Sequence, residues 1–91
     1  MNRLPIEPGR AVLSMAGRDA GRRFVALRVD ETYAYVADGD LRKVETPKKK
    51  KRRHIQIISR TVDITGADDA KIRRELRAAG REEGKSYLTQ Q

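Results

Sequence analysis

Residues 48–53 read KKKKRR, a run of six cations with no acid among them. Side chains of this type neutralise phosphates, and each phosphate neutralised releases condensed counterions, which drives binding at low salt. The competing reading is a solvated loop that only keeps a sheet edge polar. The placement decides between them. The run lies between two strand candidates, so Lys48, Lys49, Lys50, Lys51, Arg52 and Arg53 are expected on a loop held at both ends. A second candidate is AGRDAGRR, residues 16–23, where Arg18, Arg22 and Arg23 gather around Gly17 and Gly21. Glycine allows a close backbone approach, and arginine forks grip phosphates or stack on unpaired bases. An ordinary glycine turn with surface arginines explains the same residues, so this signal is weak on its own.

Other residues carry less. His54 is the only histidine. A general base is conceivable there, but it has no cysteine or second histidine for a metal and no serine–carboxylate partner. It is read as a strand-edge residue able to touch RNA. Asp38 and Asp40 flank Gly39 and could hold a divalent cation, but Asp-Gly has a purely local explanation as a turn. No metal or cofactor is expected. Tyr33 and Tyr35 are two residues apart and share a face of any strand. They could stack bases, but such a pair packs more often in or around a small core, and that is the expectation. With only three tyrosines and one phenylalanine, recognition by shape and phosphate is favoured over reading of splayed bases. With no dense catalytic constellation, an enzyme is not expected.

The charge distribution sharpens the picture. The chain has 91 residues and a net charge of +8. Residues 1–41 and 61–91 each hold six basic and six acidic side chains. All the excess falls in residues 42–60, where nine basic groups, including Arg42, Lys43 and Arg60, face the single Glu45. A field concentrated in this way favours a polyanionic partner. An anionic membrane surface would also attract it, but no amphipathic helix or lipid anchor flanks the run. The chain has no cysteine, which excludes disulfides and fits a reducing compartment. No apolar run approaches the roughly 18 residues of a membrane span, and MNRLPIEPGR lacks the apolar centre of a signal peptide. A soluble cytoplasmic protein is expected, with nothing that requires a dimer.

Five short strands are expected to position these groups: AVLSM (11–15), RFVALRV (23–29), YAYVA (33–37), LRKVE (41–45) and HIQII (54–58). Ala11, Leu13 and Met15 would share one face, as would Val25, Leu27 and Val29. DGD, residues 38–40, suits a tight hairpin between the third and fourth strands, with Gly39 as its turn glycine. Such spacing indicates a mostly β chain, a small five-stranded barrel over residues 1–60 whose last strand closes it. A short C-terminal helix is expected over about 66–79, with Thr65 and Asp68 as a capping box, an Asp69–Arg73 ion pair, Ile72, Leu76 and Ala79 on one thin apolar stripe, and Gly80 as its stop. The stripe suggests loose packing. Residues 81–91 read as disordered, with Tyr87 and Leu88 able to dock.

The segment EPGRAVLSMAGRDAGRRFVALRVDETYAYVADG resembles a KOW motif, a strand, glycine-bearing loop and strand in alternating pattern. Its continuation, GDLRKVETPKKKKRRHIQI, is similar to the large-subunit ribosomal proteins of the fourteen-e and twenty-seven-e families, and above all to the short bacterial KOW-domain RNA-binding proteins. The resemblance covers residues 7 to about 60, with the AGRDAGR loop, the DGDLRKV hairpin and the lysine loop in order. It implies an SH3-like barrel that binds RNA, most often ribosomal RNA in the large subunit. On that resemblance Gly21 matches the motif's central glycine, Arg18, Arg22 and Arg23 fall in the loop that commonly faces RNA, and Lys48 to Arg53 match the lysine-rich loop. Some KOW domains instead bind proteins of the transcription or translation machinery, which is the alternative function. Residues from Val62 onward are not covered.

Overall fold

The structure, a computed structural model, describes residues 6–90, with side chains described through Arg81. Five strands form one antiparallel sheet: β1 (Arg10–Ser14), β2 (Arg23–Val29), β3 (Tyr33–Ala37), β4 (Lys48–Lys51) and β5 (Ile55–Thr61), in the order β4-β3-β2-β1-β5. A 3-10 turn, Arg52–His54, joins β4 to β5, and one helix, α1 (Asp69–Gln90), follows. Among the described residues no ladder joins β4 to β5, so strand pairing does not close the sheet.

Apolar side chains are buried on both faces of the sheet. Val12, Phe24, Ala26, Ala34, Val36 and Ile55 form the core of the inner face, with Ile6 and Val29 against it. Ala11, Val25, Val62, Ile72 and Leu76 form a second core on the outer face, beneath α1. Grouping Val25, Leu27 and Val29 on one face therefore fails. A bulge between Ala26 and Arg28 inserts one residue and reverses the alternation. Val25 and Leu27 join the outer core, while Val29, now opposite Ala34, joins the inner one. In β1 the alternation holds, with Val12 and Ser14 buried inward and Ala11 in the outer core, while Met15, just past the strand, is 54% exposed.

Residues 41–45 are not a strand. The Asp38 carboxylate accepts the backbone N–H groups of Asp40 and Arg42, both at 2.9 Å, and the N–H groups of Asp38 and Gly39 donate to the Arg42 carbonyl. Farther along, the Val44 N–H donates to Asp69 at 2.8 Å. With these groups committed, residues 38–47 form a wide connection that folds onto α1, and the partner of β3 is the lysine run itself. Gly39 permits this closeness: its φ is +76°, and a Cβ there would collide with the Asp69 carbonyl oxygen.

The helix also differs from expectation. Its N-cap is Asp68, whose carboxylate accepts the Lys71 N–H at 2.9 Å, while Asp63 accepts the Thr65 N–H in the turn before it. Asp69 and Arg73 do not pair. Asp69 holds Val44, and Arg73 donates to the Gly39 carbonyl. Gly80 does not end the helix. The Arg23 guanidinium lies 3.7 Å from where a Gly80 Cβ would stand, an ordinary contact distance, so α1 passes close to Arg23 there without requiring glycine. Packing is close, because Ile72 is 0% and Ala79 1% exposed. The helix spans residues 81–90 as well, which replaces a disordered tail, while the side chains of Tyr87 and Leu88 lie outside those described. No described helix is long and apolar enough to cross a membrane.

Truncating a fully buried isoleucine removes transfer energy and leaves a cavity, at a cost of about 2–5 kcal/mol. Ile72→Ala is therefore expected to lower stability by that amount, a large part of the total for a domain this size. A urea midpoint that shifts by less than about 0.5 kcal/mol equivalent would mean that α1 does not support the sheet.

Candidate nucleic-acid interface

As β4, the four residues Lys48–Lys51 lie antiparallel to β3, with Val36 opposite Lys48, Tyr35 opposite Lys49, Ala34 opposite Lys50 and Tyr33 opposite Lys51. The run is thus strand followed by a 3-10 turn, not loop. A strand sends successive side chains to opposite faces, so identical residues acquire different roles. Lys48 and Lys50 point to the inner face, with Ala34 and Val36. Lys49 and Lys51 point to the outer face, with Tyr33 and Tyr35.

Lys50 is only 7% exposed, and all three of its donors are used: Asp19 Oδ1 at 2.7 Å, Ser14 Oγ at 2.9 Å and the Ala16 carbonyl at 3.0 Å. Lys48 reaches the other Asp19 oxygen at 2.8 Å. The fully buried Ser14 hydroxyl lies 2.8 Å from Asp19 Oδ1 and completes the cluster. Asp19 is aimed inward by its turn. Gly17 and Gly21 take φ of +82° and +89°, and the Gly21 N–H donates to the Ser14 carbonyl while the Arg22 N–H donates to that of Asp19. Burial pushes the Asp19 carboxyl up, but hydrogen bonds from Lys48, Lys50 and Ser14, with the Lys50 charge, outweigh it and hold the group well below the usual carboxylate range. Asp38 shows the same balance. Burial raises it, while the N–H groups of Arg42 and Asp40 and the Arg22 guanidinium bring it down overall.

Several residues expected to meet RNA are therefore committed within the fold. Lys50 and Lys48 belong to Asp19. Arg22 pairs with Asp38 at 2.7 Å, which also takes that carboxylate away from any cation site. Arg60 pairs with Glu75 at 2.9 Å and ties β5 to α1. Arg52 is partly committed, donating to the Asp30 carbonyl at 2.9 Å. Arg23 packs over Gly80, and His54 is half-buried in the 3-10 turn. Exposed cations remain at Lys49, Lys51 and Arg53 around β4, at Arg42 and Lys43 in the preceding connection, and at Arg18 in the glycine loop.

Tyr33 and Tyr35 are in neither core. They are half-buried, Tyr33 with Lys49 Nζ 4.1 Å above its ring and Tyr35 with the Arg28 guanidinium 4.3 Å above its own. Sequence reasoning overlooked Arg28 here, because only the bulge in β2 brings it opposite Tyr35. It also overlooked Arg73 and Arg77 of α1, which with Arg22, Arg23, Asp38 and Asp40 line a groove of about 320 Å3. The balanced charge of residues 61–91 concealed them. No family model and no curated protein matches the chain.

Removing Asp19 leaves a buried ammonium without a counter-charge, a change that costs about 3–5 kcal/mol. Asp19→Asn should lower stability by that order, while Arg18→Ala one residue away should change it by less than about 0.5 kcal/mol. Because the folded carboxyls of Asp19 and Asp38 are depressed, their contribution is complete above about pH 5, where the unfolded groups are ionised, and drains as pH falls through the lower folded values. Urea midpoints between pH 2 and 7 should therefore fall on the acid side and stay level above it. An equally steep acid limb in Asp19→Asn would show that Asp19 contributes nothing to it.

Proposed function

We propose that this chain is an RNA-binding module of the SH3-like KOW kind, and that it holds structured RNA by its phosphates, with ribosomal RNA in the large subunit as the partner. The observation that carries the reading is the pair of lysines left over on β4. Lys49 and Lys51 cannot turn inward, because the inner positions are taken by Lys48 and Lys50 on Asp19. They stand exposed on a strand of fixed register, next to exposed Arg53. Presenting charge on a rigid element lowers the ordering cost that a free lysine tail meets on binding. The five short antiparallel strands are compatible with an SH3-like domain, and the net charge of +8 favours association with any polyanion.

The contact is electrostatic, so salt tests it. Each phosphate contact contributes about −0.7 to −0.9 to the slope of log K against log salt. Replacing Lys49, Lys51 and Arg53 by glutamine is expected to flatten that slope by about 2–3 for a structured RNA while leaving the urea midpoint in place. In fractionated lysate the wild type should sediment with large ribosomal subunits at low salt and leave them at high salt. Migration as a free protein at every salt concentration would remove the ribosomal partner. An unchanged slope in the triple variant would remove the β4 surface as the contact.

A further inference from the structure

The outer face of the sheet is divided. Toward one end, Val25 and Ala11 lie under Ile72 and Leu76 of α1. Toward the other lie Tyr33, Tyr35, Arg28, Lys49 and Lys51, the three cations exposed and the two tyrosines half-buried. Residues directly opposite in an antiparallel pair share a face. Tyr35 therefore stands between Arg28 and Lys49, and Tyr33 stands beside Lys51. Two aromatic rings interleaved with three cations have the composition of a platform for unpaired nucleotides, in which rings stack on bases and cations meet the phosphates.

We propose that this face takes unpaired nucleotides of the bound RNA by stacking on Tyr33 and Tyr35. The proposal rests on the RNA-binding reading and adds a second mode of contact to it. The covering cations do not block the rings. Lys49 and Arg28 are exposed, and a cation over a ring at an exposed site is worth a factor of about 2–5, whereas a base stacked on the ring is worth about 5–150. A base therefore displaces Lys49 or Arg28 from the ring, and the freed cation swings to the adjoining phosphate. Spacing sets the form of the RNA. Side chains two apart on a strand stand about 7 Å apart, roughly twice the 3.4 Å rise of a stacked strand. Neighbouring bases on the two rings must therefore be unstacked from each other, as in a loop or bulge rather than a duplex.

The full chain is titrated with a uridine decamer and, separately, with a blunt-ended RNA duplex, using wild type, Tyr33→Leu/Tyr35→Leu, and Lys49→Gln/Lys51→Gln/Arg53→Gln. The tyrosine variant is expected to bind the decamer at least about 5-fold more weakly and the duplex as the wild type does. The chain has no tryptophan, so tyrosine emission reports directly: quenching by the decamer in the wild type is expected, with no variant needed. Unchanged emission at saturating decamer overturns the proposal even if the leucine variant fails to fold. Equal decamer binding by wild type and tyrosine variant, with loss in the cation variant, overturns stacking and leaves the phosphate reading standing. If the wild type binds neither probe at low salt, the RNA-binding reading itself falls.

Discussion

The buried contact between Lys50 and Asp19 is what allows four consecutive lysines to be a strand. A polylysine segment repels itself and has no apolar side to bury. Here one ammonium is taken out of water with all three of its hydrogens bonded, one of them to a carboxylate that also receives Lys48. Buried ion pairs give little net stability against an apolar alternative, because desolvation offsets attraction. Their stronger effect is on specificity. Four identical side chains hold no register signal of their own, since a slip by one residue exchanges lysine for lysine. Register must come from outside the run. The Asp19–Ser14 site offers it on one side, and on the other the Arg52 N–H donates to the Thr32 carbonyl at 2.9 Å.

The same contact reaches back to the glycine loop. A loop with Gly17 and Gly21 at positive φ suits a close approach to a ligand, and it suits equally well the inward aim of an aspartate. The structure uses it for the second purpose. It thereby links the β1–β2 loop to β4, two elements more than twenty-five residues apart in the chain. The helix makes the corresponding link on the outer face. Asp69 holds Val44, Arg73 holds Gly39 and Glu75 holds Arg60, so the first turns of α1 bind both the 38–47 connection and β5. Residues that read as a loosely attached tail thus finish the second core.

The parts of the fold that could be read from the chain are those where local preference and tertiary context agree. β2 and β3 hold β-branched and aromatic residues between turn residues, and their observed bounds, 23–29 and 33–37, are the expected ones. β4 was unreadable because lysine disfavours strands and its partner, Asp19, lies twenty-nine residues away from Lys48. The Asp38–Gly39 turn was recognised, but its width was not, since the width depends on Asp69 in a distant helix. Gly80 carries the local signal of a helix stop, but α1 continues through it to Gln90. At the candidate site, the exposed cations were evident from charge alone. Their division into inward and outward sets was not, because alternation has meaning only once the segment is known to be a strand.

That division changes what the net charge of +8 means. Net charge governs long-range attraction and encounter rate, and it is the same whether a lysine is buried or exposed. Contact depends on placement. Lys48 and Lys50 contribute to the field felt by an approaching polyanion, yet both are engaged at Asp19 when it arrives. On the proposed RNA-binding reading, Lys49 and Lys51, exposed on the other face, contribute to both stages. Of the six cations at residues 48–53, four form β4 and two begin the 3-10 turn after it. With alternate residues facing inward, only every second side chain of β4 can be offered outward.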